Sequence, residues 1–188
     1  MPGGDTARPM RADARRNYER IVATAKELFT AHGADVPLDD IAKKAGVGAG
    51  TLYRHFPTRE KLFEAVYRDE IEVLADRAFA LRDELPPWEA LEAWLTAQVT
   101  WVVERHKLAT FLKESIDSGS ETFQYCQKRL REATGVLVGA AQDAGLIRAD
   151  IQGVDVLRLG HGAGMAVRNC SPEEGKRVLT VILDGLRA

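Results

Sequence analysis

The stretch that decides the fold reads Ile41-Ala42-Lys43-Lys44-Ala45-Gly46-Val47-Gly48-Ala49-Gly50-Thr51-Leu52-Tyr53-Arg54-His55-Phe56. Two short helical segments flank a glycine-rich turn, Ala45–Gly48. Leu38, Ile41, Ala42 and Ala45 give the first segment one apolar face, and Gly46 stops it. In the second, Leu52 and Phe56 stand at i and i+4 and anchor it inward. A pair of short helices joined this way has the size and punctuation of a helix-turn-helix. In that motif the second helix enters the major groove by its N-terminal end while the first crosses the backbone. Any tight helical hairpin shares the outline, so the side chains must decide. Thr51, Tyr53, Arg54 and His55 gather hydroxyls, a guanidinium and an imidazole beside the small Ala49 and Gly50, which let a helix end approach base edges. Tyr53 as a half-buried aromatic and His55 as a solvated or capping residue are the plain alternatives. Lys43 and Lys44 add charge at the end of the first helix.

One step outward, Thr58 is placed to cap a further helix whose first turn holds Arg59 and Lys61. Cations there oppose the helix dipole, at about 0.3–1 kcal/mol each. A phosphate at that helix end reverses the sign, because it meets backbone N–H groups and two cations together. A tolerated surface cost, partly offset by Glu60, is the bland alternative.

Taken together, Ile41-Ala42-Lys43-Lys44-Ala45-Gly46-Val47, then Gly50-Thr51-Leu52-Tyr53-Arg54-His55-Phe56, then Arg59-Glu60-Lys61-Leu62 resemble the DNA-binding region of the tetracycline-repressor (TetR) family of bacterial regulators. The resemblance runs over about residues 15–67. It implies a dimeric transcriptional regulator, usually a repressor, in which Thr51 and its small neighbours face bases while Tyr53, His55 and Lys61 bind phosphates. Two positions depart from the family's pattern. Pro37 stands near where many members carry Ser or Thr, and Gly48 where many carry a capping Ser. Glycine is an adequate cap, but one hydroxyl contact to phosphate is lost. With little base-edge chemistry at Ala49 and Gly50, specificity is expected to lean on Thr51, on Lys43 or Lys44, and on DNA shape.

The rest of the chain reads as helix after helix. Residues 1–14 show no apolar period and read as a flexible arm. Arg8, Arg11, Arg15 and Arg16 either extend a DNA contact or belong to a plain tail. Residues 15–62 are expected to form the DNA-binding domain and 63–188 a helical domain for ligand binding and dimerisation, the division that the family resemblance implies. The periodicity predicts about nine helices and no strands, an all-α chain. It gives separate fifth and sixth helices around Trp94 and around Phe111, and a last helix opened by Ser171-Pro172 with Val178, Val181, Ile182 and Leu186 as its apolar face.

Within that second domain Trp94, Gln98, Trp101, Phe111, Ser115, Tyr125, His161 and Met165 are the candidates to line an apolar effector pocket. A plain aromatic core is the competing reading. Leu157, Gly160 and Gly164, with Val178, Val181 and Ile182, are the candidates for a two-fold dimer interface. Glycines inside a helix cost about 1 kcal/mol each relative to alanine, and close helix–helix approach is the natural offset. Room for a ligand beside His161 and Met165 is the second option.

Composition bounds the function. The 188 residues carry 26 Lys and Arg against 28 Asp and Glu, a net charge of −2. Residues 1–63 hold 11 basic and 8 acidic side chains, and residues 64–188 hold 15 and 20. A basic head and an acidic body suit two parts with different partners. The longest uncharged runs are about half the ~20 residues of a membrane helix, and no secretory signal is visible. Two cysteines at no metal-like spacing suggest reduced thiols, and the expected setting is the cytoplasm. No metal-ligand set, phosphate loop or nucleophile motif appears, so neither catalysis nor a cofactor or metal is expected. The expected partners are double-stranded operator DNA, a second copy of the chain and an unidentified apolar or aromatic effector. A helical small-molecule-binding or interaction protein with a vestigial helix-turn-helix is the alternative.

Overall fold

A computed structural model of the chain describes residues 7–33, 35–115 and 120–188, and for residues 7–11 and 105–115 the backbone alone. Among the described residues there are eight helices and no strand: α1 (Ala7–His32), α2 (Leu38–Lys44), α3 (Ala49–His55), α4 (Arg59–Glu84), α5 (Pro87–Ser115), α6 (Glu121–Asp143), α7 (Gly153–Val167) and α8 (Pro172–Leu186). The count is one below the expected nine. The expected fifth and sixth helices are one helix, α5, because no glycine or proline stands between Val102 and Leu112 to end it. At the other end α1 starts at Ala7, inside the expected arm. Pro9 falls in its first turn, where a missing N–H breaks no helical bond.

The chain divides into two compact units, Met1–Asp69 and Glu70–Ala188, and the division falls inside α4. In the first unit Ile21, Val22, Ala25 and Phe29 of α1, Leu38, Ile41 and Ala42 of α2, Leu52 of α3 and Leu62, Phe63 and Val66 of α4 are all buried. The Phe29 and Phe63 rings stack at 4.2 Å.

In the second unit the core gathers Ala75, Ala78 and Leu81 of α4, Leu91, Trp94 and Leu95 of α5, Leu137 and Val138 of α6, Val156 of α7 and Leu183 and Leu186 of α8. Two glycines set the approach of α7 to α5. A Cβ on Gly160 would collide with Gln98 Oε1 and stand 2.7 Å from Leu95 Cδ1. One on Gly164 would stand 2.7 Å from Val102 Cγ1. Both glycines are therefore buried against α5 of the same chain, which gives the small-residue stripe an occupant other than the expected dimer partner. The end of α8 is tied down by Arg148 N–H donating to the Leu186 carbonyl at 3.0 Å, and by the Arg187 guanidinium 3.9 Å above the Trp88 ring.

Of the four residues expected on the apolar face of α8, Ile182 and Leu186 turn inward and Val178 and Val181 do not. Leu183 and Leu186 are buried, with Leu179 and Ile182 packed beside them, while Val178 and Val181 point outward. Apolar residues run more than halfway round this helix, so periodicity alone admits either face.

Candidate nucleic-acid interface

The turn between α2 and α3 is built by its glycines. Gly46 has φ +65°, the left-handed conformation that closes a helix without a Cβ penalty. Its N–H donates to the Lys43 carbonyl at 3.2 Å, and the Val47 N–H to the Ala42 carbonyl at 3.0 Å. That double bond set fixes the exit of α2. Gly48 caps α3 in extended conformation with no side-chain hydrogen bond, as glycine must. From α1, Arg20 donates to the Gly46 carbonyl at 3.1 Å and ties the turn to the long helix.

Helix α3 is anchored by two side chains. Leu52 is wholly buried and Phe56 nearly so. Tyr18 of α1 packs on the C-terminal end of this helix, 5.1 Å from the Phe56 ring and 6.2 Å edge-on to His55. That holds His55 half-buried. Ala49, Gly50, Tyr53 and Arg54 are exposed and Thr51 is half-exposed. Around Gly50 nothing lies within 4 Å of where a Cβ would stand. The five candidate residues Ala49, Gly50, Thr51, Tyr53 and Arg54 thus share one accessible surface.

The start of α4 divides its two cations by role. The Arg59 guanidinium donates 2.7 Å to the Val36 carbonyl, so it braces the loop before α2. Lys61 stays exposed and pairs with Glu64 at 2.9 Å. The Thr58 hydroxyl accepts the Lys61 N–H at 3.4 Å, so one donor of this helix end is already met. Glu60 is held below the ordinary carboxylate range by its own backbone N–H and then by Thr58. At the end of α2, Lys43 is exposed and Lys44 pairs with Glu27 at 3.1 Å.

The candidate effector residues fall in the second unit and sort differently. Trp94 is wholly buried and donates its indole N–H to the Leu74 carbonyl at 3.1 Å. Trp101 donates to the buried Glu70 carboxylate at 3.1 Å. The Tyr125 hydroxyl donates to Glu72. All three aromatics reach onto α4, a relation that their spacing on α5 and α6 does not reveal. Gln98 is buried and donates 2.8 Å to the Leu157 carbonyl of α7. His161 is exposed and Met165 half-buried. Phe111 and Ser115 lie outside the residues whose side chains are described. Sequence reasoning missed Glu70, Glu72 and Arg129, whose significance depends on partners more than thirty residues away.

Among the described residues no group of three His, Cys, Asp or Glu side chains stands ready for a metal ion, and no helix is long and apolar enough to cross a membrane.

Comparison with known proteins places these features. Residues 21–66 match the family model for bacterial regulatory proteins of the tetR family, and residues 86–188 match that for the C-terminal domain of SbtR-like transcriptional regulators. The solved structure of the TetR transcriptional regulator SCO0520 from Streptomyces coelicolor is 38% identical, with a TM-score of 0.73 over 90% of this chain and 98% of that one. A TetR regulatory protein from Mycobacterium vanbaalenii is 35% identical, with a TM-score of 0.74 over 96% of this chain and 100% of that one. An HTH-type transcriptional regulator of Staphylococcus aureus is 28% identical over 120 residues, which span 63% of this chain and 63% of the relative.

Proposed function

The chain belongs to the TetR family of bacterial transcriptional regulators, and on that premise we propose that it is a homodimeric, ligand-responsive repressor of a palindromic operator. The observation that carries this reading is α3 itself. Leu52 and Phe56 are spent on anchoring, and Ala49, Gly50, Thr51, Tyr53 and Arg54 remain outward. Thr51 and the small residues beside it contact base edges; Tyr53, His55, Lys61 and the α4 N-terminus contact phosphate. Lys43, Lys44 and Arg54 add charge at the rim, and Arg59 contributes by holding the loop before α2.

Two recognition helices of a dimer read half-sites about one duplex turn apart, ~34–36 Å. The outward faces of α7 and α8 supply the dimer surface. Leu159, Val178 and Val181 are apolar and exposed, with Val181 at 71% exposure. Leu157, Ile182, Gly160 and Gly164 support that surface from beneath. The effector is apolar or planar and binds in the second unit among α4, α5 and α6. It releases DNA by binding more tightly to a conformation that mis-spaces the reading heads. The protein works in the cytoplasm and performs no catalysis.

Selection from random duplexes tests the reading. A palindrome with half-sites one turn apart is the expected product. If nothing is enriched, or if changing Tyr53 and Lys61 together leaves DNA affinity untouched, the helix-turn-helix is vestigial and the chain is a helical binding protein.

A further inference from the structure

Most cations of the first unit are already engaged. Among its described Lys and Arg side chains, five pair with a carboxylate. Arg20 and Arg59 hold backbone carbonyls, and Arg68 acts on the Tyr18 hydroxyl. Lys43 and Arg54 remain, both exposed and with no hydrogen bond or ion pair among the described residues. Lys43 lies in the last turn of α2, the helix that crosses the backbone in this motif, where a point charge suffices. Arg54 lies on α3, and its angular place is different.

Leu52 and Phe56 fix which way α3 faces. At about 100° per residue, Arg54 points about 180° from the mean direction of these two anchors, while Tyr53 and His55 point about 80° to either side of it. A helix in the major groove turns its flanks to the phosphate-lined walls and the side opposite its anchors to the base edges. Charge alone would leave Arg54 at the rim; its angle turns it to the bases.

Reach is the second requirement. A recognition helix meets base edges by its N-terminal end, and Arg54 sits in the last turn of α3. A helical side chain leans back over the turn before its own Cα. One turn earlier on the same stripe stands Gly50, with nothing within 4 Å of its Cβ position. The Arg54 stem therefore has a bare track toward the N-terminal end of the helix. The fork at its tip carries donors only, which match the paired acceptors O6 and N7 of guanine. Adenine offers a donor at N6, which arginine cannot meet.

We propose that Arg54 is the specificity-determining residue of α3: its guanidinium, laid back over Gly50, reads one guanine in each half-site through O6 and N7. This rests on the reading of α3 as the DNA-contacting helix and deepens it by naming the base. Position 50 is then a clearance that the arginine needs.

The test uses the full chain, wild type beside Arg54→Ala and Gly50→Leu, on the operator duplex recovered by selection. Each guanine of a half-site, with its symmetry mate, is replaced in turn by 7-deazaguanine, which has a C–H in place of the N7 acceptor. At one position the analogue is expected to lower wild-type affinity about tenfold. Arg54→Ala should bind the natural operator about as weakly and ignore the analogue. Gly50→Leu keeps the arginine and should lose the same sensitivity. Thermal midpoints should not fall, because Arg54 has no partner to lose and position 50 is open. Wild type indifferent to every analogue overturns the proposal, and so does a sensitivity that persists in Arg54→Ala. A parallel loss by Arg54→Ala on operator and random duplexes, with a shallower salt slope, marks a phosphate contact and overturns it too. A Gly50→Leu protein that stays sensitive overturns the route over Gly50. If wild type enriches no duplex at all, the helix-turn-helix reading itself fails, an outcome distinct from an enriched operator whose guanines do not matter.

Discussion

Gly160 of α7 lies against the Gln98 carboxamide of α5 so closely that a Cβ at position 160 would collide with the Gln98 Oε1. Gly160→Ala should therefore destabilise, although alanine is the better helix former by about 1 kcal/mol. Gln98 would have to leave the Leu157 carbonyl it donates to, and overpacking costs about 1–3 kcal/mol. A net loss of about 1–2 kcal/mol in urea unfolding is expected. Gly162→Ala is the control. Nothing lies within 4 Å of its Cβ position, so it should gain about 0.5–1 kcal/mol.

Arg59 and Lys61 should separate cleanly. Arg59→Ala removes the bond to the Val36 carbonyl and should cost about 1–2 kcal/mol of stability. Lys61→Ala breaks only an ion pair whose lysine is 59% exposed, and so should leave stability almost unchanged. Its effect should appear on DNA, as weaker binding to every duplex and a salt slope shallower by about one. A Lys61→Ala protein with an unaltered salt slope would remove Lys61 from the interface.

Tyr18 should shape the alkaline limit of stability. Burial against Phe56 and His55 raises its hydroxyl above the ordinary value, with Arg68 pulling the other way. The sign follows from linkage. The contribution is fully present below the unfolded-state pKa of about 10 and is lost as pH rises through the higher folded value. Tyr18→Phe keeps the ring contacts and cannot ionise. Unfolding free energies of the two proteins, measured between pH 7 and 11, should run parallel at neutral pH. Wild type should then fall away from the variant on the alkaline side.

Val181 tests the proposed dimer surface. It stands 71% exposed on α8, away from Leu183 and Leu186. Val181→Asp should leave helix content and monomer folding intact while shifting sedimentation from dimer to monomer. A dimer undisturbed by this change would place the two-fold contact elsewhere.

Much of the fold was legible because helix ends announce themselves locally. Ser171 accepts the Glu174 N–H and Glu174 answers on the Ser171 N–H, with Pro172 between them. Gly33, Gly46 and Gly145 all take positive φ. The exposed surface of α3 was legible for the same reason, since Leu52 and Phe56 at i and i+4 leave the remaining residues outward. What periodicity cannot give is the identity of the neighbour. It marks Gly160 and Gly164 as close-approach positions, but not that α5 fills them. It marks Trp94 and Trp101 as one stripe, but not that both indoles bind α4. It sees apolar residues at Val178 and Val181, but not that Leu179 and Leu183 win the inward side of α8. These are outcomes of competition between helices far apart in sequence.

The open space around Gly50 has a consequence for how such a regulator changes its target. On α3 the residues that hold the helix, Leu52 and Phe56, are not the residues left outward. A new side chain at position 50 would add a donor, an acceptor or a methyl group to the outward surface of α3 without displacing a neighbour. On the proposed reading, operator preference can drift through single substitutions there, each nearly silent for folding, so that sister regulators with diverged targets can arise from one ancestral scaffold.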